Sequence, residues 1–313
     1  QGTRLLGMRK VDGRPVLTRT GGLYLLHGDS AWAAEPLHQL HAQRVPAELM
    51  QAEDARRRFP HLTRFGFDQA IFCPTEGVVD IHALLSGLLA EATCGGFEIV
   101  TDCAVESLVL EGPAVRRVQT RHGEVRAHIV VDATGAWAGH LGRVASPLPL
   151  KPLRRHLFVS EGSGLLPRDA PFVWDLNIGY YVRPEGAGLL LCPCDETEHA
   201  PGIPPVDPAA ADLLADKLLS HAPGLADVAL RRCWACLRTF APDRLPIIGW
   251  DPEISGLFHV SGLGGFGVTT SLSVGDLASA QIRGVAVNWI DAECFSVKRE
   301  IRGATTEISR RAH

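Results

Sequence analysis

Several features are missing from this 313-residue sequence, and each absence narrows what it does. No apolar run approaches the length of a membrane span, and no basic-then-apolar leader opens the chain. Lys and Arg number 31 against 35 Asp and Glu, with both signs interspersed, so nothing favours nucleic acid or an anionic membrane as partner. The 8 cysteines are scattered through segments that read as strands and helices. Without a leader, that pattern points to reduced thiols and a cytoplasmic protein. There is no internal repeat or low-complexity tract. No strand–Gly-x-Gly-x-x-Gly–helix unit stands near the first residue, Gln1. No acid and base residues cluster in a way that announces proton transfer.

What is present is a core-forming share of hydrophobic residues, 46%, in a chain long enough for two domains. The most telling stretch runs from Cys236 to Gly275. Arg238 ends an apolar strand, and a turn bounded by Pro242 and Pro246 follows. A second strand, 257–261, then runs into Gly262, Gly264, Gly265 and Gly267 and a helix of small residues. Glycines leave backbone N–H groups uncovered, and the helix adds the positive end of its dipole. Together they suit a ligand with polar edges and negative charge lying against the main chain. Tight packing is the plainer reading of the same turn.

Elsewhere the periodicity predicts a helix over 81–92 capped by Asp80, with Leu84, Leu85, Leu88 and Leu89 on one apolar face and Gly95-Gly96 ending it. Short helical pieces are expected at 46–50 and 53–59, and strands at 23–26, 71–72 and 97–100. A meander is expected over 104–110, 115–120 and 125–131. After a crossover at 148–152, strands at 157–160, 172–174, 180–183, 188–192 and 228–237 form an antiparallel sheet, with a helix over 208–220. Strand 257–261 and helix 273–282 return to the first region, and 289–313 gives a weak, polar signal.

Four segments carry a resemblance. They are Pro74-Thr-Glu-Gly-Val-Val-Asp80, Ile129-Val-Val-Asp-Ala-Thr-Gly-Ala-Trp-Ala138, Pro152-Leu-Arg-Arg-His156 and the 236–275 stretch. In that order they resemble the D-amino-acid oxidase superfamily of FAD-dependent oxidoreductases, especially its D-amino-acid dehydrogenase and glycine/sarcosine oxidase branches. The resemblance implies a mixed α/β fold. An FAD-binding, Rossmann-like domain at 72–148 and 239–290, lacking its N-terminal Gly-x-Gly-x-x-Gly part, interleaves with an antiparallel-sheet substrate domain at 1–71 and 149–238. A C-terminal tail occupies 291–313. The implied activity is oxidation of the C–N bond of a D-amino acid, glycine or an N-methyl amino acid by hydride transfer to flavin N5. The electron acceptor, oxygen or a quinone, stays open.

The carboxylate of such a substrate calls for guanidinium, whose planar fork makes two parallel hydrogen bonds. By resemblance Arg155 and Arg238 match the carboxylate-binding pair, although Arg154 and Arg155 are interchangeable on sequence. Tyr181 matches an auxiliary carboxylate contact. Gly262, Gly264, Gly265, Gly267 and Thr269 would line the flavin, and Ala133, Thr134 and Gly135 would let it approach a strand end. Thr269 stands where sarcosine oxidases carry lysine, which leans towards a dehydrogenase. Cys236 falls where monomeric sarcosine oxidases attach FAD covalently, and a small buried residue is the alternative. Cys192, Cys194, Cys233 and Cys236 as a four-thiolate zinc site is a rival. His156 and His259 read as core groups. A glutamate that fixes a cationic side chain in an arginine-preferring relative is replaced here by the Gly21-Gly22 region, so no cationic preference is expected. Two other functions stay open: a truncated or non-catalytic partner subunit, and a flavin-dependent α-hydroxy-acid dehydrogenase.

Overall fold

The computed structural model describes residues 2–28, 34–140 and 148–299. Its largest element among these is a nine-stranded sheet. Near one end, strand Lys151–Ser160 pairs along one whole edge with Leu230–Phe240. Its other edge is shared by Thr197–Glu198 and Gly188–Cys192. Beyond Gly188–Cys192 the order continues through Tyr180–Glu185, Phe172–Asp175, Gly22–Leu26, Gln69–Cys73 and Glu48–Gln51. Every pairing is antiparallel except that of Phe172–Asp175 with Gly22–Leu26.

Strand alternation gives this sheet two unlike faces. Leu23, Leu25, Val173, Val182, Leu191 and Phe158 point to one side, where they pack with Leu214 and Leu218 of helix Ala209–His221 and with Ala55 of helix Ala52–Arg58. That side is the main core. The opposite side presents Tyr24, Trp174 and Tyr181 in register on three adjacent strands, then Cys192 opposite Tyr181. The three aromatic side chains are only half-buried.

A second, smaller sheet sets strand Val130–Asp132 parallel to Leu257–Ser261, with Ile247–Trp250 antiparallel on the far side. Helix Gly267–Ile282 packs Leu277 and Ala278 against Ile248 and Phe258 of this sheet. A three-stranded antiparallel sheet spans Val105–Glu111, Ala114–Thr120 and Gly123–Arg126.

Several local expectations are corrected. Residues 48–51 form a strand, not a helix, because Met50 is buried and the segment pairs with Gln69–Cys73. Residues 97–100 form no strand, and Phe97, Ile99 and Val100 are exposed. The last strand of the meander ends at Arg126, and Val130–Asp132 leaves to pair with Leu257–Ser261. Asp80 does cap helix Ile81–Cys94, accepting from the Ala83 N–H. On that helix Leu84 is buried, whereas Leu85 and Leu89 face solvent.

Candidate active site

Arg155 and Arg238 lie on neighbouring strands. Arg155 is opposite Cys236, and Leu153 is opposite Arg238, so both arginines fall on the aromatic side of the sheet. Their charges converge. Both act on Cys192 and Cys194, and the charge of Arg238 also reaches Tyr181. Burial opposes ionisation of the Cys192 thiol, but the Cys194 thiol and the two guanidiniums together pull its pKa below the ordinary value. The Tyr181 hydroxyl is pushed well up, chiefly by burial, and stays a proton donor.

The two arginines differ in one respect. Arg155 is buried and its Nη2 donates to Glu196 Oε1 at 2.8 Å; Glu196 in turn accepts from Arg244 at 2.6 Å. Burial works against the Arg155 charge, and Cys194, Cys192 and Glu196 more than offset it. The half-buried Arg238 forms no hydrogen bond or ion pair among the described residues. Arg154 points to the opposite side of the strand, where it donates to Asp207 at 2.5 Å.

The glycine loop is strapped to the strand that carries Arg238. The Gly264 N–H donates to the Thr239 carbonyl at 2.9 Å, and Leu263 bridges Phe240. Gly264 has φ +56°, and a Cβ there would run into the Phe240 ring. A Cβ on the exposed Gly265 would stand 3.1 Å from Arg238 Nη1, so the loop backbone lies directly beside that guanidinium. Gly262, Gly264 and Gly267 also hold the Gly-x-Gly-x-x-Gly spacing, between a strand and a helix. Thr269 is exposed, with its hydroxyl donated to the Phe266 carbonyl at 3.0 Å.

At the neighbouring strand end, Ala133 and Gly135 are exposed. The Thr134 hydroxyl donates to Asp132 at 2.6 Å. The Cys236 thiol donates to the Arg155 carbonyl at 3.7 Å and its pKa is raised, mainly by burial. Among the described residues no group of His, Cys, Asp or Glu is arranged to hold a metal ion. His259 lies buried between Asp251, 2.9 Å from Nε2, and Asp132, 3.6 Å from Nδ1. His156 is held by Asp195 at 2.7 Å and accepts from the Asp207 N–H at 2.9 Å.

Comparison with known proteins places this arrangement. The family model described as FAD dependent oxidoreductase matches residues 6–281. The chain belongs to that family.

Among curated relatives, human mitochondrial dimethylglycine dehydrogenase is 26% identical over 253 residues, covering 74% of this chain and 29% of that protein. Monomeric sarcosine oxidase from a Bacillus species is 25% identical over 309 residues, covering 93% of this chain and 78% of the oxidase. The chain thus spans less than a third of the length of the dimethylglycine dehydrogenases it matches. Among solved structures, L-proline dehydrogenase from P. horikoshii superposes with TM-score 0.80 at 21% identity, over 90% of this chain and 77% of that one. Glycine oxidase from Geobacillus kaustophilus gives 0.77 at 23% identity, over 96% and 79%.

The residues present fit the family's FAD. Helix Gly267–Ile282 has no side-chain cap at its N-terminus, which leaves backbone N–H groups there to meet an acceptor edge. The bare backbone at Gly265 leaves room that a side chain would fill, and Ala133 and Gly135 put small exposed residues at the neighbouring strand end. Sequence reasoning missed Glu196, Trp174 and Tyr24. No local pattern marks these residues, because strand pairing brings each to the site from a distant segment.

Proposed function

We propose that this protein oxidises the C–N bond of an amino acid, the substrate carboxylate being gripped by Arg238 and steadied by the Tyr181 hydroxyl. One observation carries the reading. Arg238 is a half-buried cation with no partner among the described residues, it acts on Tyr181, and it abuts the glycine loop. With no carboxylate partner there, its guanidinium donors are left for an arriving anion. Arg155, committed to Glu196, supplies positive field and positions the strand instead of making the first grip. Bound FAD supplies a two-electron acceptor at this site. The protein's own residues fix the carboxylate, hold the α-carbon over the open face, and keep Tyr181 protonated as a donor.

In this reading Gly262, Gly264, Gly265, Gly267 and Thr269, with Ala133, Thr134 and Gly135 after the neighbouring parallel strand, would hold the flavin. Cys236 serves as a packed thiol, since burial favours its protonated and less nucleophilic form. The division into a flavin-binding part at 72–148 and 239–290, a substrate-binding part at 1–71 and 149–238 and a tail at 291–313 fits the same assignment. All 8 cysteines are free, which suits a reducing, cytoplasmic setting. No helix among the described residues is long and apolar enough to cross a membrane.

The test uses protein supplied with FAD and freed of oxygen. Glycine, sarcosine, D-alanine or a larger amino acid bleaches the visible flavin band, and an α-hydroxy acid does not. Arg238→Leu keeps the flavin yet raises the substrate KM by about 100-fold or more. Bleaching only by the hydroxy acid, or unaltered amino-acid kinetics in the variant, overturns the reading.

A further inference from the structure

Two thiols border the arginine corner of the large sheet. Cys192 ends strand Gly188–Cys192 opposite Tyr181 and is fully buried; Cys194 follows after Pro193 and is partly exposed. Cys194 has φ +55°, a region that L-residues seldom enter. Lys217 holds that turn, its Nζ donating to the Pro193 carbonyl at 2.8 Å and to the Gly179 carbonyl at 2.9 Å. The chain doubles back, and the Cys194 N–H donates to Cys192 Sγ at 3.4 Å. With the backbone nitrogen of one cysteine against the sulfur of the other, a side-chain rotation brings the two sulfurs within bonding reach.

The surroundings of this pair are cationic. Arg155 and Arg238 act on both sulfurs, and the Lys217 ammonium adds a third positive charge. An ordinary buried thiol behaves differently: burial, with Glu76 nearby, pushes Cys73 up to about 11. Burial works the same way on Cys192, yet Cys194 and the guanidiniums bring its pKa down to about 6. The proton stays on Cys194, whose own pKa is raised by Cys192 and by burial. A thiolate among cations is the nucleophilic form of cysteine, and a second thiol in contact with it is the partner that closes a disulfide.

We propose that Cys192 and Cys194 are a redox pair, which a small hydroperoxide converts into a disulfide, removing a negative charge from beside Arg238 and Tyr181. Cys192 has no exposed surface, so the oxidant must be nearly as small as water, and hydrogen peroxide is. The Cys192 thiolate attacks one peroxide oxygen. An S–O bond forms, the O–O bond breaks, and the departing oxygen leaves as hydroxide and takes up a proton. The Cys194 sulfur then attacks Cys192. The S–S bond forms, the S–O bond breaks, and the hydroxyl leaves with the Cys194 proton as water. Two thiols are oxidised, one peroxide is reduced, and a dithiol reductant reverses the change. The disulfide chemistry is independent of the substrate; only its effect on carboxylate binding rests on the reading of Arg238 as the anchor.

The test treats the reduced, FAD-supplied full chain with stoichiometric hydrogen peroxide, quenches in acid and alkylates in denaturant. Cys192 and Cys194 are the only cysteines between Arg168 and Lys217, so a single tryptic peptide reports on both. That peptide is expected to escape alkylation and to be about 2 Da light, at a rate about 10-fold or more above oxidation of the exposed Cys94 and Cys294. Cys194→Ser, which leaves Cys192 without its partner, is expected to trap a dimedone adduct on Cys192. At mildly alkaline pH, propionate should bind about 10-fold tighter to the oxidised protein than to the reduced one. If Cys192 and Cys194 stay open to alkylation, or oxidise no faster than Cys94 and Cys294, the redox pair is refuted. Absence of the dimedone adduct refutes Cys192 as the attacking thiol. A disulfide that leaves the propionate Kd unchanged refutes the charge switch while the Arg238 anchor stands. Propionate binding in neither state refutes the anchor and leaves the disulfide in place.

Discussion

At the scale of single residues, the site depends on which cation is already satisfied. Arg155 and Glu196 have side chains only 5% and 14% exposed, so their ion pair is largely shielded from water. Removing one charge strands the other. Glu196→Gln is expected to lower stability by about 3 kcal/mol in a denaturant melt, because Arg155 loses its carboxylate and Arg244 loses its own contact. Arg238→Leu has no pair to break and should melt near the wild-type temperature while losing substrate affinity. Arg238 was legible in the sequence because a charge at the end of an apolar strand is conspicuous. Arg155 and Arg154 were not separable, since alternation fixes opposite faces without saying which face is open. Glu196 was invisible, because it meets Arg155 only once the chain has folded.

At the scale of elements, the glycine loop holds two residues, Gly262 and Gly264, in the positive-φ region that favours glycine. Gly264→Ala would put a methyl group in the left-handed region and against Phe240. It should cost about 1–2 kcal/mol from the backbone alone, and more from the clash. Near-wild-type thermal stability with full flavin retention would contradict this account. The loop-to-helix transition was readable from composition, but the helix begins at Gly267, earlier than its apolar spacing suggests, since Val268 and Leu272 also find a cluster to pack against. The strand at 48–51 was misread for a related reason: its propensity is weak and its partner strand decides. Downstream of the helix, Arg299 donates to both Asp243 oxygens, at 2.7 and 3.0 Å, and to the Leu245 carbonyl at 2.9 Å. These bonds tie the 292–299 segment to the turn that follows the Arg238 strand. Arg299→Ala is expected to destabilise by about 1.5–3 kcal/mol and to speed proteolysis around 240–246.

At the scale of the molecule, the smaller mixed sheet carries a buried titrating trio. Burial opposes charge on His259, yet the neighbouring Asp132 carboxylate and the hydrogen-bonded Asp251 raise its pKa above 6.5. Burial likewise raises the pKa of each aspartate, but His259 and backbone donors bring both below 3.8. The histidine's contribution to stability is therefore complete below pH 6.5 and fades as pH rises through its higher folded value. The aspartates contribute above pH 3.8 and lose that contribution as pH falls through their lower folded values. Melting temperature should decline as pH rises above 6.5, and His259→Asn should flatten that decline; equal slopes would refute the trio's role. The two-faced sheet has a kinetic consequence as well. Tyr24 reaches Trp174 only through the parallel pairing of Gly22–Leu26 with Phe172–Asp175, a junction between segments far apart along the chain. Closing so wide a loop is slow, and a growing polypeptide cannot attempt it until the later strand has been synthesised. The aromatic row should thus mature late in folding, so this protein's ability to hold ligand would lag behind its acquisition of secondary structure.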